Sequence, residues 1–112
     1  MESSILTTIK LMLGVKEEDT NFDDQIIQHI NTSISKLEDT GIVNSLVVED
    51  STQTWEELLP DISKHQLLKD YIFLDVKLIF DPPLNASVLQ TYKDRYKEIE
   101  YRLYRQFNFP VT

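Results

Sequence analysis

Leu67-Leu-Lys-Asp-Tyr-Ile-Phe-Leu-Asp-Val-Lys-Leu-Ile-Phe80, closed by Asp81-Pro82-Pro83, is the stretch on which the fold turns. Ten of its fourteen residues are apolar. It is too short and too charged to cross a membrane, which takes roughly 20 apolar residues. Leu74, Val76, Leu78 and Phe80 alternate with Asp75 and Lys77, a period that suits a strand. Against a strand, nothing from Ser63 to Phe80 is Gly or Pro, and the run far exceeds the usual strand length of roughly 5–6 residues. Ser63 and Gln66 have capping-box spacing, and Ile62 and Leu67 are placed as a hydrophobic staple. The reading is therefore a helix, the most buried element of a small domain. The tandem proline stops it, because proline donates no amide and pushes the preceding residue away from helical angles.

On a helical wheel Lys69, Asp70 and Lys77 share one narrow face. Asp75 falls on the opposite side, between Leu68 and Tyr71. A carboxylate on an apolar face costs several kcal/mol unless it is paired or stays wet. Asp75 thus requires a partner, either within the chain or on another subunit.

Outward from this helix the pattern stays helical. Residues 4 to 13 place Ile5, Leu6, Ile9, Met12 and Leu13 at helical spacing, with Gly14 as a C-terminal cap. A second helix starts near Asn21 or Asp23 and runs to about Asp39 on a stripe of Ile26, Ile27, Ile30, Ile34 and Leu37. Its Asp23 and Asp24 suit the positive end of the helix dipole. Phe22 is placed to pack back on Ile26. Ile42 to Ser51 reads as a long, partly extended loop. Thr54-Trp-Glu-Glu57 has capping-box spacing and opens a short helix ended by Pro60. Ser87 and Gln90 repeat that spacing and open the last helix. Its stripe is Val88, Leu89, Tyr92, Tyr96, Ile99, Leu103 and Phe107. The expected architecture is all-α: a single domain over residues 1–112, built as a small bundle of two short and three longer helices, with the long loop between the second and third.

Trp55, the single tryptophan, reads either as a core lid or as an interface anchor, a role in which Trp is enriched. Arg95 and Arg102 flank the last helix's stripe and are the candidates to reach Asp75. Tyr101 and Tyr104 point away from that stripe among Lys97, Arg102 and Arg105, an arrangement suited to docking.

The net charge of −8 is unevenly placed. Residues 1–61 hold 13 acids and 3 bases; residues 62–112 hold 6 acids and 8 bases. The first half should repel phosphate backbones, which argues against gripping nucleic acid by counterion release. Two halves of opposite sign suit head-to-tail contact with copies or partners. With no cysteine there are no disulfides and no thiolate metal sites. Met1-Glu-Ser-Ser lacks the basic start and apolar run of a signal peptide, so a soluble cytosolic or particle-bound protein is expected.

Catalytic signatures are missing. Two glycines allow neither a Walker loop nor a dinucleotide fingerprint. His29 and His65 lie in different elements without ligand spacing. Asp19, Asn21 and Asp23 mimic the start of a calcium loop, but Asp24 stands where Gly is required and Ile30 where the bidentate Glu belongs. No serine sits in a nucleophile elbow. Neither an enzyme nor a cofactor is expected.

The order of features resembles a known family. Ile5 to Gly14 reads Ile-Leu-x-x-Ile-Lys-x-x-Leu-Gly and leads into Phe22-Asp-Asp-Gln-Ile-Ile-Gln-His-Ile-Asn31. Then come Leu37 to Gly41, a variable loop, Thr54-Trp55, Tyr71 to Phe80, Asp81-Pro-Pro83 and Glu100-Tyr-Arg102. This is similar to the small head–tail connector (adaptor, or head-completion) proteins of long-tailed bacteriophages, over nearly the whole chain. The resemblance implies a structural protein of the virion neck, present in the host cytoplasm before assembly. It implies a homo-oligomeric ring, dodecameric in the virion, under the portal protein. Such a ring extends the DNA channel and presents a surface to the next neck or tail-completion protein. Genomic DNA would pass through without specific binding, and no membrane is involved. On this reading Asp75, Trp55, Arg95, Tyr101, Arg102, Tyr104 and Arg105 are interface candidates, with the portal contact placed at Tyr101 to Thr112. Asn44, Leu46, Val48, Glu49 and Asp50 are candidates for the channel or the next ring. The alternative is a small acidic regulator, a DNA mimic or host-protein binder, motivated by the charge of residues 1–61.

Overall fold

Each helix begins and ends where its local chemistry requires. The computed structural model describes residues 4–60 and 65–106. α1 spans Ile5–Leu13; the Ser4 hydroxyl caps it by accepting from the Thr7 amide, and Gly14 closes it at φ 83°, a left-handed conformation that glycine adopts without a Cβ penalty. α2 spans Asp23–Asp39, with Asp23 and Asp24 in its first turn. Four residues, Trp55–Leu58, form α3 behind a complete Thr54/Glu57 capping box. α4 is His65–Phe80 and α5 is Ala86–Gln106. The described residues thus form an all-α fold of two short and three longer helices, with residues 42–54 running between α2 and α3 without forming a strand. No helix of the described residues is long and apolar enough to cross a membrane.

Two local expectations need comment. The cap of α5 is Asn85, not Ser87: the Asn85 side chain accepts from the Ser87 and Val88 amides at 2.8 and 3.2 Å. Asn caps as well as Ser, and Asn85 comes first after the prolines, so the helix starts earlier. Gln90 then turns to Asp94 instead of completing a box. Ile62 and Ser63, the expected staple and cap of α4, and Phe107, the expected end of the α5 stripe, lie outside the described residues.

α4 is the hub. It packs against α5, α2 and α1, and its Leu68, Ile72 and Val76 have no solvent exposure. α1 contributes Ile5, Leu6 and Ile9, and α2 contributes Ile26, Ile30, Ile34 and Leu37. Trp55 closes the core from α3, fully buried, with its indole N–H donating to the Thr8 hydroxyl at 3.1 Å. The start of the chain is tied to the same region, where the Ile5 amide donates to the Gln53 carbonyl at 3.0 Å.

Asp75, 6% exposed, sits inside this packing. Its partners come from α2: the buried Ser33 hydroxyl donates to one carboxylate oxygen, and the Lys36 ammonium lies 3.0 Å from both. Arg95 and Arg102 do not reach it. Arg95 faces Asp70 at 3.6 Å, and Arg102 faces Glu98 at 3.9 Å. The physical reason is that Asp75 lies on the α2 side of α4, whereas both arginines ride on the outer surface of α5. Ser33 is the sequence signal that was passed over: it interrupts the buried row of α2 between Ile30 and Leu37. α5 instead meets α4 through Tyr96, whose ring stacks on Tyr71 at 5.1 Å and whose hydroxyl donates to the Tyr71 hydroxyl at 3.0 Å.

This arrangement makes an asymmetric prediction. Lys36→Met strands a buried carboxylate with one hydrogen bond and should cost about 1–3 kcal/mol or more. Asp75→Asn keeps an acceptor for Ser33 and leaves Lys36, whose side chain is 46% exposed, to water. It should cost only about 0.5–1.5 kcal/mol. Urea unfolding of both variants checks the order; a larger loss in Asp75→Asn would contradict it. A second prediction concerns alkali. Burial first, then the shared hydrogen bond, raises the Tyr71 pKa; burial also raises that of Tyr96. Burial pulls Lys36 down, but its hydrogen bonds to Asp75 and the carboxylate's charge leave it above 10.5. Groups with raised folded values stabilise fully below their unfolded pKa and lose that contribution as pH rises through the folded value. Stability should fall above about pH 10, with Tyr71 ionising only on unfolding. Tyrosinate absorbance followed beside circular dichroism reads this. Ionisation of Tyr71 in the intact fold, shown by its loss in Tyr71→Phe, would contradict it.

Candidate functional site

The segment between α2 and α3 is held by side chains in place of a neighbouring strand. Asn31 on α2 uses both ends of its amide on one residue: Nδ2 donates to the Val48 carbonyl at 2.9 Å, and Oδ1 accepts from the Val48 amide at 2.8 Å. The Leu46 amide donates to the Glu38 carboxylate at 3.1 Å. Asn44 ties to α3, its amide donating to the Leu58 carbonyl and its side chain to that of Glu57. The Gln53 side-chain oxygen accepts from the amides of Glu49 and Asp50. Asp50 in turn accepts from the Thr52 hydroxyl and amide, which hold its carboxyl below the ordinary value.

The five loop candidates therefore divide. Val48 is buried and Leu46 half-buried, so both anchor the segment. Asn44, Glu49 and Asp50 are exposed. Val47 is exposed as well and escaped the sequence reading, although the alternation of Leu46-Val47-Val48 turns it outward once its neighbours turn in. Glu49 and Asp50 border a cavity of about 340 Å³ that Glu17, Asp23 and Asp24 also line. Lys10, almost fully buried, places its ammonium 2.9 Å from Asp23 and donates to the Glu17 carbonyl at 2.8 Å. It fixes the α1–α2 connection and leaves the cavity mouth acidic. Among the described residues no three His, Asp or Glu side chains converge to hold a metal.

The other candidate surface is the outer side of α5. Lys93, Lys97, Tyr101 and Arg105 are exposed and spaced by four, so they form one stripe. The Arg105 guanidinium lies 5.8 Å from the Tyr101 ring, a cation–π contact. Arg95 and Arg102 flank the stripe with side chains more than half exposed, and their long pairings to Asp70 and Glu98 are of the kind worth about 0–1 kcal/mol. Both remain able to exchange partners. The side chain of Tyr104 lies outside the described residues. Of the other interface candidates, Asp75 and Trp55 are interior and give no surface to a partner. The structure thus brings Arg95, Tyr101, Arg102 and Arg105 together on α5 and separates them from the loop set.

A family model described as phage connector protein matches residues 5–108, nearly the whole chain. The chain belongs to the phage head–tail connector family. No curated protein and no solved structure matches it. Membership assigns the connector a structural role at the head–tail junction, and the motif residues now have physical reasons. Asn31 is the clasp of the loop. Phe80, before the prolines, meets Phe22 edge-on at 5.6 Å and His29 at 6.4 Å, joining the end of α4 to the start of α2.

Asn31→Ala should release the connector's loop without unfolding its helices. The loss of two hydrogen bonds should cost about 1–3 kcal/mol and make the Val48 amide exchange on the order of tenfold faster. Hydrogen exchange by NMR checks this; an unchanged Val48 amide would contradict the clasp.

Proposed function

We propose that this connector protein forms a ring beneath the portal, extends the DNA channel and offers its far side to the next neck component. The observation that carries this reading is the match of residues 5–108 to the connector family. Two separated surfaces of different chemistry on one rigid bundle support it: the basic, aromatic side of α5 and the acidic loop with its cavity. The portal contact belongs on the outer face of α5, at Arg95, Tyr101, Arg102 and Arg105, where Arg and Tyr are suited to interface anchoring. The channel or next-ring contact belongs on Asn44, Glu49 and Asp50, presented by the anchored Leu46 and Val48. Carboxylates along a conduit repel the phosphate backbone, so DNA slides past without being held. The ring and its partners place the protein in the virion neck.

The test is size-exclusion chromatography with light scattering, with and without the cognate portal ring. The wild-type chain should co-elute with the portal at near one-to-one subunit ratio. Arg102→Glu with Arg105→Glu should weaken that binding by roughly tenfold or more while the helical spectrum is unchanged. A chain that ignores the portal would count against the connector ring. Unchanged binding by the charge-reversed variant would move the portal contact off α5. Removal of residues 44–50 should leave portal binding intact and abolish DNA retention in assembled heads; unaltered retention would contradict the loop's role.

A further inference from the structure

The loop between α2 and α3 has one backbone edge taken and one edge open. The Asn44 amide donates to the Leu58 carbonyl, the Leu46 amide donates to Glu38, and Val48 closes both of its backbone groups on Asn31. Asn44, Leu46 and Val48 are spaced by two, and in an extended chain residues at that spacing send their backbone groups to the same edge. Burial keeps the same period: Leu46 is half-buried and Val48 buried, whereas Ser45, Val47 and Glu49 are exposed. α2 and α3 thus occupy one edge. The other edge carries the amides and carbonyls of Ser45 and Val47, and among the described residues no group bonds to any of the four. A row of open donors and acceptors on exposed residues is a template for pairing with another chain. It ends at Glu49, whose amide turns to the Gln53 side chain.

We infer that this edge receives an extended strand of the next neck component by β-strand addition, and that the strand carries an apolar side chain opposite Val47 and Lys or Arg opposite Glu49; this rests on the reading of the chain as a connector whose loop faces that component. Main-chain bonds supply the affinity in such a contact, and alternate side chains supply the specificity. Val47, 64% exposed, is held outward by its two anchored neighbours and offers an apolar cross-strand contact. Glu49 lies on the same face two residues on. It and Asp50 border the cavity that Glu17, Asp23 and Asp24 also line, so the local field attracts a basic strand. The same field opposes a second copy of the loop, which would bring its own Glu49 and Asp50. Asn31 and Glu38 hold the edge extended before the strand arrives, which lowers the ordering cost of binding.

The test uses connector assembled on its cognate portal and the cognate next neck component. In the wild type, hydrogen exchange read residue by residue should show the Ser45 and Val47 amides slowing on the order of tenfold or more when the component binds. Val47→Pro removes the Val47 donor, which makes no bond within the described chain, and proline suits an open edge. It should weaken binding of the component by roughly tenfold or more while portal co-elution is unchanged. Val47→Thr keeps the donor and should lose only about two- to threefold. Bound complexes whose Ser45 and Val47 amides exchange as before, or Val47→Pro binding as the wild type does, would overturn the inference while leaving the connector reading intact. Equal losses in Val47→Pro and Val47→Thr would mean a side-chain contact without strand pairing and overturn it too. Slow exchange of both amides before the component is added, lost on dilution, would assign the edge to a second copy and overturn it. Failure of the wild-type chain to assemble on the portal would overturn the connector reading, and this inference with it.

Discussion

The structure depends on keeping a charge inside its most buried helix. Asp75 cannot be neutralised by water, so α2 must present Ser33 and Lys36 to it, one turn apart, at a fixed height and rotation. Apolar packing alone tolerates slippage of one helix along another; a hydrogen-bonded ion pair does not. Once α2 is set against α4, Asn31 on the same helix stands where it can clasp Val48, and the loop inherits its position from the Asp75 pairing. On the other side of α4, Tyr71 and Tyr96 set α5 in the same way, through a stacked and hydrogen-bonded contact. The loop and the outer face of α5 are thereby both set against one central helix.

Much of this was legible in the residues. The five helices, their order and the hub role of residues 67–80 follow from hydrophobic period, from Gly14, Gly41 and the prolines as stops, and from the Thr54/Glu57 box. That Asp75 needs a partner was also legible, because a lone carboxylate in an apolar run poses an electrostatic problem any reader can see. Which partner was not legible. The choice between α2 and α5 depends on the rotation of α4 in the bundle, and a helical wheel gives relative angles without saying which neighbour occupies which side. The loop illustrates the same limit. Its irregular sequence gave no pattern, because its order comes from Asn31, Glu38 and Gln53, side chains remote from or flanking the segment they hold. Lys10 was overlooked for a related reason: its burial depends on Asp23 closing over it from the next helix.

A connector has to be stable as a subunit and incomplete as a surface. The interior of this chain meets the first demand, with Trp55, Ile72 and Val76 fully enclosed. Its ends meet the second. Ile79 on α4 and Val88 on α5 stay exposed among the described residues, while the outer face of α5 keeps arginines in weak, exposed pairings that a partner can replace. The acidic loop lies elsewhere, tied to α2 and α3. Family membership supplies the structural role; the separation of these surfaces is the feature on which the proposed contacts rest.

Cryo-electron microscopy of the connector assembled on its cognate portal tests that account most directly. The account predicts a closed ring of copies in which the outer face of α5 meets the portal and Asn44, Glu49 and Asp50 face the channel or the next neck component. A ring whose α5 outer faces all point to solvent, or a portal complex that binds scattered single copies, would contradict it.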